Sequence, residues 1–464
     1  MREIAKRRKI LLLASAVLGL LFFVSFMYTD IVETTRDGMT FWDALFSGRL
    51  RQFYVMNENV TISGRFGTSG AAIYDFPVYF VFAIWNLPLW IYEKVTGAFA
   101  LDRLVGVLWA KSISIPFLIG ICLTMIRIGK RIRGDAFPAD KALLMFGSSV
   151  LFLVPVLIMG QYDAFCLLFM LLGTDAYIAG KNKQFLAWFA VAVTFKLFAL
   201  FVFIPLVLLK EKRLLRVCGS MAAGLSFLVF WKIVQGSFFV VSETGTDYVS
   251  GHLLTFIFQS QIGFTYQSSS VFIMAFLFVC MFCYFRTPIP AERSGIWAVY
   301  GALMGLAPFF IASLTHPQWS LLMLPFIVLL VFARKDSECA TGMWISTIFS
   351  SGLLLTQFIY YFWVFSIKTS AYTLAGKLFY NGTDDLGYSI RNLLEARLPG
   401  IDMGYLNMIG GGVFAAGLLF FLFWAYPDAK RRNFAALEIS FDSILVVRLF
   451  IFVVTGGLLV ALMV

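Results

Sequence analysis

Long apolar runs separated by short polar breaks repeat along the whole chain of 464 residues. Several of these runs, among them 10–28, 104–128 and 142–159, approach the roughly 20 residues that an α-helix needs to cross a bilayer. The period-2 alternation of apolar and polar residues that is typical of a membrane β-barrel is absent. The pattern therefore predicts an all-α polytopic membrane protein.

Charged residues are scarce and unevenly placed. They make up 14% of the chain, compared with about 25% in an average globular protein. The net charge is +11, but many Lys and Arg residues lie in short clusters at the ends of apolar runs. Examples are Arg2 to Lys9, Arg127 to Lys141 and Lys210 to Arg216. The positive-inside rule predicts that these loops and the N-terminus are cytoplasmic, so no nucleic-acid partner is expected.

Two segments do not fit simple counting of crossings. The segment 76–92 is aromatic and contains Pro77 and Pro88, so we expect it to lie in the outer interface, where Trp and Tyr are favoured. The segment 185–209 has basic residues at both ends, which predicts a short or re-entrant hairpin with Lys196 near its tip. Counting both limbs of this hairpin, the positive-inside rule gives about thirteen crossings.

The loops also suggest how the chain is organised. We predict a first transmembrane module over 1–335, with a large outside loop at 29–103. A second module follows over 336–464, with an outside loop at 365–407. The N-terminal apolar run is expected to remain as the first helix. The cytoplasmic loops are mostly under about 20 residues, too short for a folded domain, and no soluble-enzyme motif is present.

Unusual polar residues gather on the predicted outside face. The stretch MGQYDAFCLL at 159–168 places an amide and a carboxylate between two apolar runs. Carboxylates serve as general bases or metal ligands, and cations at the membrane surface suit a lipid phosphate. The candidates are Asp30, Asp75, Gln161, Asp163, Lys111, Lys196 and His316.

Each candidate also has a plain structural interpretation. Asp30 fits a solvated loop acid, and Asp75 and Asp163 fit helix caps. Lys196 could extend its side chain to the interface, and His316 could bond a helix end. The sequence leaves these alternatives open, although an ionisable group beside a membrane helix favours a functional role.

The order of these motifs resembles the GT-C superfamily of integral-membrane glycosyltransferases, which use polyprenyl-phosphate sugars. The resemblance runs over about 10–335, through TDIVETTRDG, YDFPVYF, GQYD, FKLFAL and THPQWSLLMLP. Within the superfamily, the chain is most similar to bacterial relatives of the GPI and dolichyl-phosphate-dependent mannosyl- and glucosyltransferases. The resemblance implies a GT-C-like fold in the bacterial cell membrane, with juxtamembrane helices in the first outside loop and an extracytoplasmic active site.

The resemblance also implies roles for the candidates. Asp30 is the expected general base, with Asp37 and Asp43 as alternatives. The expected donor is a polyprenyl phosphate carrying one sugar, and the expected acceptor is an extracytoplasmic glycan or lipid. The phosphate would be held by Lys196, Lys111 or His316, and the other substrate-binding candidates are Asp75, Tyr79, Gln161 and Asp163. No cofactor is assigned from the sequence, and a divalent cation, Mg²⁺ or Mn²⁺, is left as an option.

Two other classes stay open. A lipid-linked glycan polymerase usually places arginines in a late outside loop, and Arg391 and Arg397 lie in 365–407. A transporter or flippase predicts charged residues near the bilayer midplane and paired broken helices. Here the polar residues cluster on one face, which favours the glycosyltransferase.

Overall fold

The computed structural model describes residues 2–240, 255, 257–263, 267–313, 315–380, 382, 385–428 and 439–464, and it describes side chains from residue 9 onward. The predicted outside loop 365–407 is thus described except at 381, 383 and 384.

Helices dominate the described chain. Up to residue 240 they are α1 (Arg2–Ser25), α2 (Asp30–Phe46), α3 (Phe53–Met56), α4 (Phe76–Trp85), α5 (Leu87–Thr96), α6 (Leu104–Lys111), α7 (Ser114–Arg133), α8 (Ala139–Gly147), α9 (Val150–Phe152), α10 (Ala164–Ile178), α11 (Asn182–Phe195), α12 (Leu200–Lys210) and α13 (Leu214–Phe238). Beyond residue 240 they are α14 (Val271–Phe285), α15 (Ser294–Ala312), α16 (Leu324–Phe332), α17 (Asp336–Tyr360), α18 (Lys368–Ala371), α19 (Leu374–Phe379), α20 (Ile390–Arg397), α21 (Met403–Ala425) and α22 (Phe441–Ala461).

Short irregular elements connect these helices. A π-helix covers Leu153–Ile158, and 3₁₀ turns cover Leu50–Gln52, Ala100–Asp102, Gly134–Ala136, Leu197–Ala199, Ala291–Arg293, Pro317–Met323 and Phe362–Phe365. The described strands form two antiparallel pairs, β1 (Thr61–Ser63) with β2 (Gly67–Thr68) and β3 (Gln261–Gly263) with β4 (Ser268–Ser270). The first pair aligns Thr61 with Thr68, and the second aligns Gln261 with Ser270.

Six of the described helical segments are long and apolar enough to cross a membrane. They are Leu104–Ala136, Leu214–Phe238, Ala291–Ala312, Asp336–Tyr360, Met403–Ala425 and Phe441–Ala461, and two bent helix pairs raise the number to eight if each pair is one span. Helices of this length and composition confirm an all-α, multi-pass membrane protein. The additional crossings in the predicted thirteen fall on shorter apolar helices such as Ala164–Ile178, and that count stays a prediction.

Sharp breaks interrupt several apolar helices. The segment Lys9–Ser25 and helix α2 meet at 65°, and Ala139–Gly147 meets Val150–Ile158 at 66°. The sequence of α2 explains the first bend, because DIVETTRDGMTFWDALF carries four acids and one arginine and would be costly to continue into hydrocarbon. Helix α2 therefore lies across the end of the bundle. At the second bend, Ser149 accepts a hydrogen bond from the Leu151 amide and starts a new helix.

The predicted hairpin at 185–209 is present, whereas the interfacial position of 76–92 stays a prediction. Helix α11 ends at Phe195, Lys196 takes an extended backbone conformation, and the chain returns through α12. The aromatic segment 76–92 forms α4 and the start of α5, and each of these helices has a proline in its first turn. Helix α4 packs closely on α2, because a Cβ at Gly38 would lie 2.5 Å from that of Phe82.

The C-terminal part of the chain packs directly against the N-terminal part. The amide of Met27 donates to the carbonyl of Thr369 at 2.8 Å, and the Thr373 hydroxyl donates to the carbonyl of Ser25. The rings of Phe22 and Phe452 lie 5.9 Å apart. The boundary predicted at residue 335 stays a prediction, but residues on its two sides meet at the end of α1.

Candidate active site

A tight turn carries the GQYD motif out of the π-helix. Gly160 has a φ of +72°, which favours glycine, and a Cβ there would lie 2.6 Å from Cγ of Lys111. The backbone amide of Gln161 donates to the carbonyl of Pro155 at 2.9 Å. The turn thus depends on glycine twice, once for its backbone angle and once for space.

Asp30 meets this turn from the opposite side. It is the first residue of α2, immediately after the bend that ends α1. Nε2 of Gln161 donates to Oδ2 of Asp30 at 3.1 Å, and the Tyr28 amide donates to the carbonyl of Met159 at 3.3 Å. Gln161 is buried, whereas Asp30 is partly exposed. The structure therefore brings together Asp30 and Gln161, which the sequence placed on one face.

A buried ion pair lies next to them. Nζ of Lys196 is 2.9 Å from Oδ1 of Asp163, and the Asp163 side chain is fully buried. Within the described residues, neither Asp163 oxygen has another hydrogen-bond partner. Asp163 stands at the N-cap position of α10, but its side chain makes no capping bond. Its carboxylate therefore pairs with Lys196 and does not cap the helix.

Two tyrosines that the sequence analysis did not select enclose this lysine. Nζ of Lys196 lies 5.1 Å from the ring centre of Tyr162 and 5.7 Å from that of Tyr74, within cation–π range. The two rings meet edge to face at 5.4 Å. The available signal was their position, because Tyr162 lies inside GQYD and Tyr74 directly precedes Asp75.

Tyr79 supports the two tyrosines around Lys196 indirectly. Its side chain is buried, and its hydroxyl accepts a hydrogen bond from the Tyr74 amide at 3.1 Å. This bond fixes the backbone of Tyr74, and the predicted substrate contact of Tyr79 stays a prediction.

The environment of Asp30 makes it a stronger base than an ordinary aspartate. Burial raises the pKa of its carboxyl to about 6, and the negative charge of Glu33 adds to this rise. The Gln161 hydrogen bond and the charge of Lys196 act in the opposite direction. A carboxylate with this pKa is mostly ionised at pH 7 and still accepts a proton near neutrality, as a general base requires.

Glu33 lies close to Asp30, although the sequence analysis did not select it. It follows Asp30 by three residues and therefore lies on the same face of α2. Burial raises the pKa of Glu33, and the nearby charge of Lys368 lowers it. The i, i+3 spacing was the available signal.

The two alternative bases are less accessible. Asp37 is buried, and burial raises the pKa of its carboxyl well above the ordinary value. Asp43 forms an ion pair with Lys94 at 2.6 Å and accepts a hydrogen bond from the Trp90 indole at 2.9 Å. Of the three aspartates, Asp30 alone combines partial exposure with contact to the GQYD turn.

Lys111 requires a correction. Its side chain is fully buried, and its ammonium donates to the carbonyls of Phe23 at 2.8 Å, Phe26 at 2.6 Å and Leu157 at 2.6 Å. An ammonium has three donors, so this arrangement leaves none for a phosphate. Lys111 instead ties the end of α1 to the segment that precedes GQYD.

Asp75 and His316 lie outside the contacts made by Asp30. Asp75 pairs with Lys232, and it occupies the N-cap position of α4 without a capping bond. The His316 ring packs against Trp319 at 4.8 Å, and Trp319 packs on Phe198 at 4.5 Å, two residues beyond Lys196. Neither is shown in contact with the Asp30 carboxylate, and their substrate roles stay predictions.

Comparison with known proteins gives faint likenesses. No protein-family model and no curated protein matches the chain. Among solved structures, ArnT from Cupriavidus metallidurans bound to undecaprenyl phosphate aligns over 95% of this chain and 77% of its own, with 14% identity and a TM-score of 0.38. The same protein in the apo state aligns over 95% and 76%, with 14% identity and a TM-score of 0.36. Likenesses of this size do not establish a shared fold.

The option of a divalent cation at this site stays a prediction. Among the described residues, no group of three or more His, Cys, Asp or Glu side chains is arranged to hold a metal ion. Asp30 is bonded to the Gln161 amide, and the ammonium of Lys196 already lies beside Asp163. In substrate sites Mg²⁺ usually binds through one or two carboxylates together with the phosphates of the substrate, so a preformed cage of protein ligands is not a requirement.

Proposed function

We propose that this chain is an integral-membrane glycosyltransferase of the GT-C type, which moves one sugar from a polyprenyl-phosphate donor to an extracytoplasmic hydroxyl. One observation carries the proposal. A partly exposed aspartate with a pKa of about 6 stands at the end of an apolar helix, held by Gln161 and beside the Asp163–Lys196 pair. The order of the sequence motifs supports the same class.

The reaction is a displacement with inversion at the anomeric carbon. Gln161 holds Oδ2 of Asp30, which leaves Oδ1 to take the proton from the acceptor hydroxyl. The acceptor oxygen forms a bond to the anomeric carbon, and the bond from that carbon to the phosphate oxygen breaks. The electron pair of that bond leaves with the polyprenyl phosphate, and the proton stays on Asp30 until solvent removes it.

The Asp163–Lys196 pair orients the site rather than supplying a free charge. The ammonium of Lys196 is balanced by Asp163 and enclosed by the rings of Tyr74 and Tyr162. Within this arrangement Lys196 favours the ionised form of Asp30. The tyrosine rings give the leaving phosphate and the sugar a rigid wall.

The membrane setting follows from the positive-inside argument. Basic clusters mark the cytoplasmic ends, so Asp30 faces the outside of a bacterial cell membrane. The acceptor is then a glycolipid, a wall polymer or another glycan on that side.

The polymerase alternative has less support, since Arg391 is paired with Glu395 of its own helix at 2.9 Å.

The test uses the purified chain in lipid nanodiscs with a panel of polyprenyl-phosphate hexoses and pentoses. Loss of sugar from the lipid is followed for wild type, Asp30→Asn and Asp43→Asn. We expect one donor to be turned over by wild type and by Asp43→Asn, with at least a hundredfold loss in Asp30→Asn. Turnover of Asp30→Asn within a few-fold of wild type would refute the base, and no turnover or binding of any donor would refute the class.

A further inference from the structure

The two lysines selected from the sequence, and the lysine that pairs with Asp75, are engaged within the protein. Lys196 is paired with Asp163, Lys111 donates to three carbonyls, and Lys232 is paired with Asp75. A departing polyprenyl phosphate is a phosphate monoester and carries about −1.5 to −2 charges at pH 7. A site that releases it therefore benefits from a cation that is not already neutralised.

Lys368 meets this requirement. It is the first residue of α18, in the outside loop of the second module, and its side chain is exposed. Within the described residues, its ammonium has no ion-pair partner. Its charge acts on Glu33, one helical turn from Asp30. Among the described residues, Lys368 is therefore a cation without an ion-pair partner that acts on Glu33, on the same helix as Asp30.

The backbone around Lys368 is fixed against the first module. The carbonyl of Thr369 accepts a hydrogen bond from the Met27 amide at 2.8 Å, and the Thr373 hydroxyl bonds to the carbonyl of Ser25. The Tyr372 ring meets the Phe66 ring edge to face at 4.9 Å. These contacts join α18 to the residues that lead from α1 into Asp30. The backbone positions of Lys368 and Asp30 are therefore fixed relative to each other.

The depth of Lys368 suits a lipid phosphate. The long apolar helix α17 ends at Tyr360, and the side chains of Tyr360, Phe362 and Trp363 are exposed, whereas Tyr361 between them is buried. Exposed aromatic residues at the end of a membrane helix mark the headgroup region. Lys368 follows within five residues of Trp363, and the residue after it, Thr369, bonds the backbone of Met27, two residues past the end of α1.

We propose that Lys368 binds the phosphate of the polyprenyl donor, so that the second module contributes a substrate-binding residue to a site begun by Asp30. This inference rests on the proposed function, because it takes a lipid phosphate as the ligand. It assigns a cation from 365–407 to a reaction that the sequence placed wholly within residues 10–335.

The experiment measures binding of undecaprenyl phosphate and of undecaprenol to the full chain in nanodiscs. The variants are wild type, Lys368→Ala, Lys368→Arg and, as matched control, Lys377→Ala, since Lys377 is another exposed lysine in the same loop. A charge-assisted hydrogen bond contributes about 1.5–3 kcal/mol, so we expect Lys368→Ala to lose about tenfold or more in phosphate affinity. Lys368→Arg and Lys377→Ala should stay within about threefold of wild type, since both keep the cation at residue 368. Undecaprenol affinity should be unchanged in all four proteins, which also reports that they are folded.

Each other outcome contradicts a different statement. If wild type prefers the phosphate and Lys368→Ala keeps that preference within twofold, the role of Lys368 is wrong and the proposed function stands. If wild type does not distinguish the phosphate from the alcohol, the proposed function fails and the inference fails with it. If Lys368→Ala weakens binding of undecaprenol as much as binding of undecaprenyl phosphate, the loss is structural and the phosphate assignment is overturned.

Discussion

The pH dependence of the reaction gives the sharpest test of Asp30. The pKa of its carboxyl is about 6 because burial and the charge of Glu33 disfavour the ionised form. The free enzyme needs Asp30 ionised in order to accept a proton, so kcat/KM should rise with pH and level off above pH 7. The rising limb reports the pKa of the base in the free enzyme.

The expected change in kcat/KM between pH 5 and pH 7 distinguishes a buried Asp30 from an ordinary solvent-exposed aspartate. With a pKa of about 6, about 9% of Asp30 is ionised at pH 5 and about 91% at pH 7, so kcat/KM should rise about tenfold between them. With an ordinary aspartate pKa near 3.9, the same step would change kcat/KM by less than about 10%. The first outcome places the base in the enclosed corner between α2 and GQYD.

A single substitution should move this limb in a known direction. The Gln161 amide donates to the ionised carboxylate and lowers its pKa. A charge-assisted hydrogen bond of about 1.5 kcal/mol corresponds to about one pKa unit. Gln161→Met should therefore shift the midpoint up to about 7, while Asp43→Asn should leave it unchanged. A limb that stays in place in Gln161→Met, or that moves in Asp43→Asn, would refute the assignment of the base.

Three further predictions concern the frame of the site. Lys196→Met should lower the free energy of unfolding by about 3–5 kcal/mol, because it leaves Asp163 buried and unpaired, and adding Asp163→Leu should restore most of that loss. Thermal denaturation in nanodiscs measures both changes. A double variant as unstable as the single one would contradict the prediction. Gly160→Ala should cut kcat/KM at least tenfold through its positive φ and its clash with Lys111, whereas Gly64→Ala, which meets no atom within 4 Å, should not. Activity should survive EDTA within about twofold of its level with added Mg²⁺, because the ammonium of Lys196 already neutralises the Asp163 carboxylate. Full dependence on Mg²⁺ would show that substrate and protein assemble a metal site together.

The sequence predicted those features that follow from where charges can stand near a bilayer. Asp30, GQYD and Lys196 each interrupt an apolar run, and the structure finds each of them at a break between helices. The hairpin at Lys196 followed from basic residues at both of its ends. The interfacial position of 76–92 stays a prediction, and its two prolines, Pro77 and Pro88, occupy first turns of short helices.

The sequence could not predict which side chains bond to one another. Lys111 and Lys196 looked alike as cations near the outer face, yet one is enclosed by carbonyls and the other by a carboxylate and two rings. The difference lies in contacts between residues far apart in the chain, such as Lys111 with Leu157. Glu33 and Tyr74 were missed because their roles depend on the angle at which α2 and the 72–75 segment approach the turn.

The breaks also explain why the polar residues converge. A helix that ends inside or beside a membrane leaves its last carbonyls without partners, and in hydrocarbon those groups must be satisfied by the protein. Lys111, itself at the end of α6, supplies three donors to carbonyls at the end of α1 and in the π-helix. By closing these two breaks against each other, it sets Asp30 opposite Gln161. The structural lysine and the candidate base are therefore coupled: satisfying the backbone at the break is what positions the carboxylate.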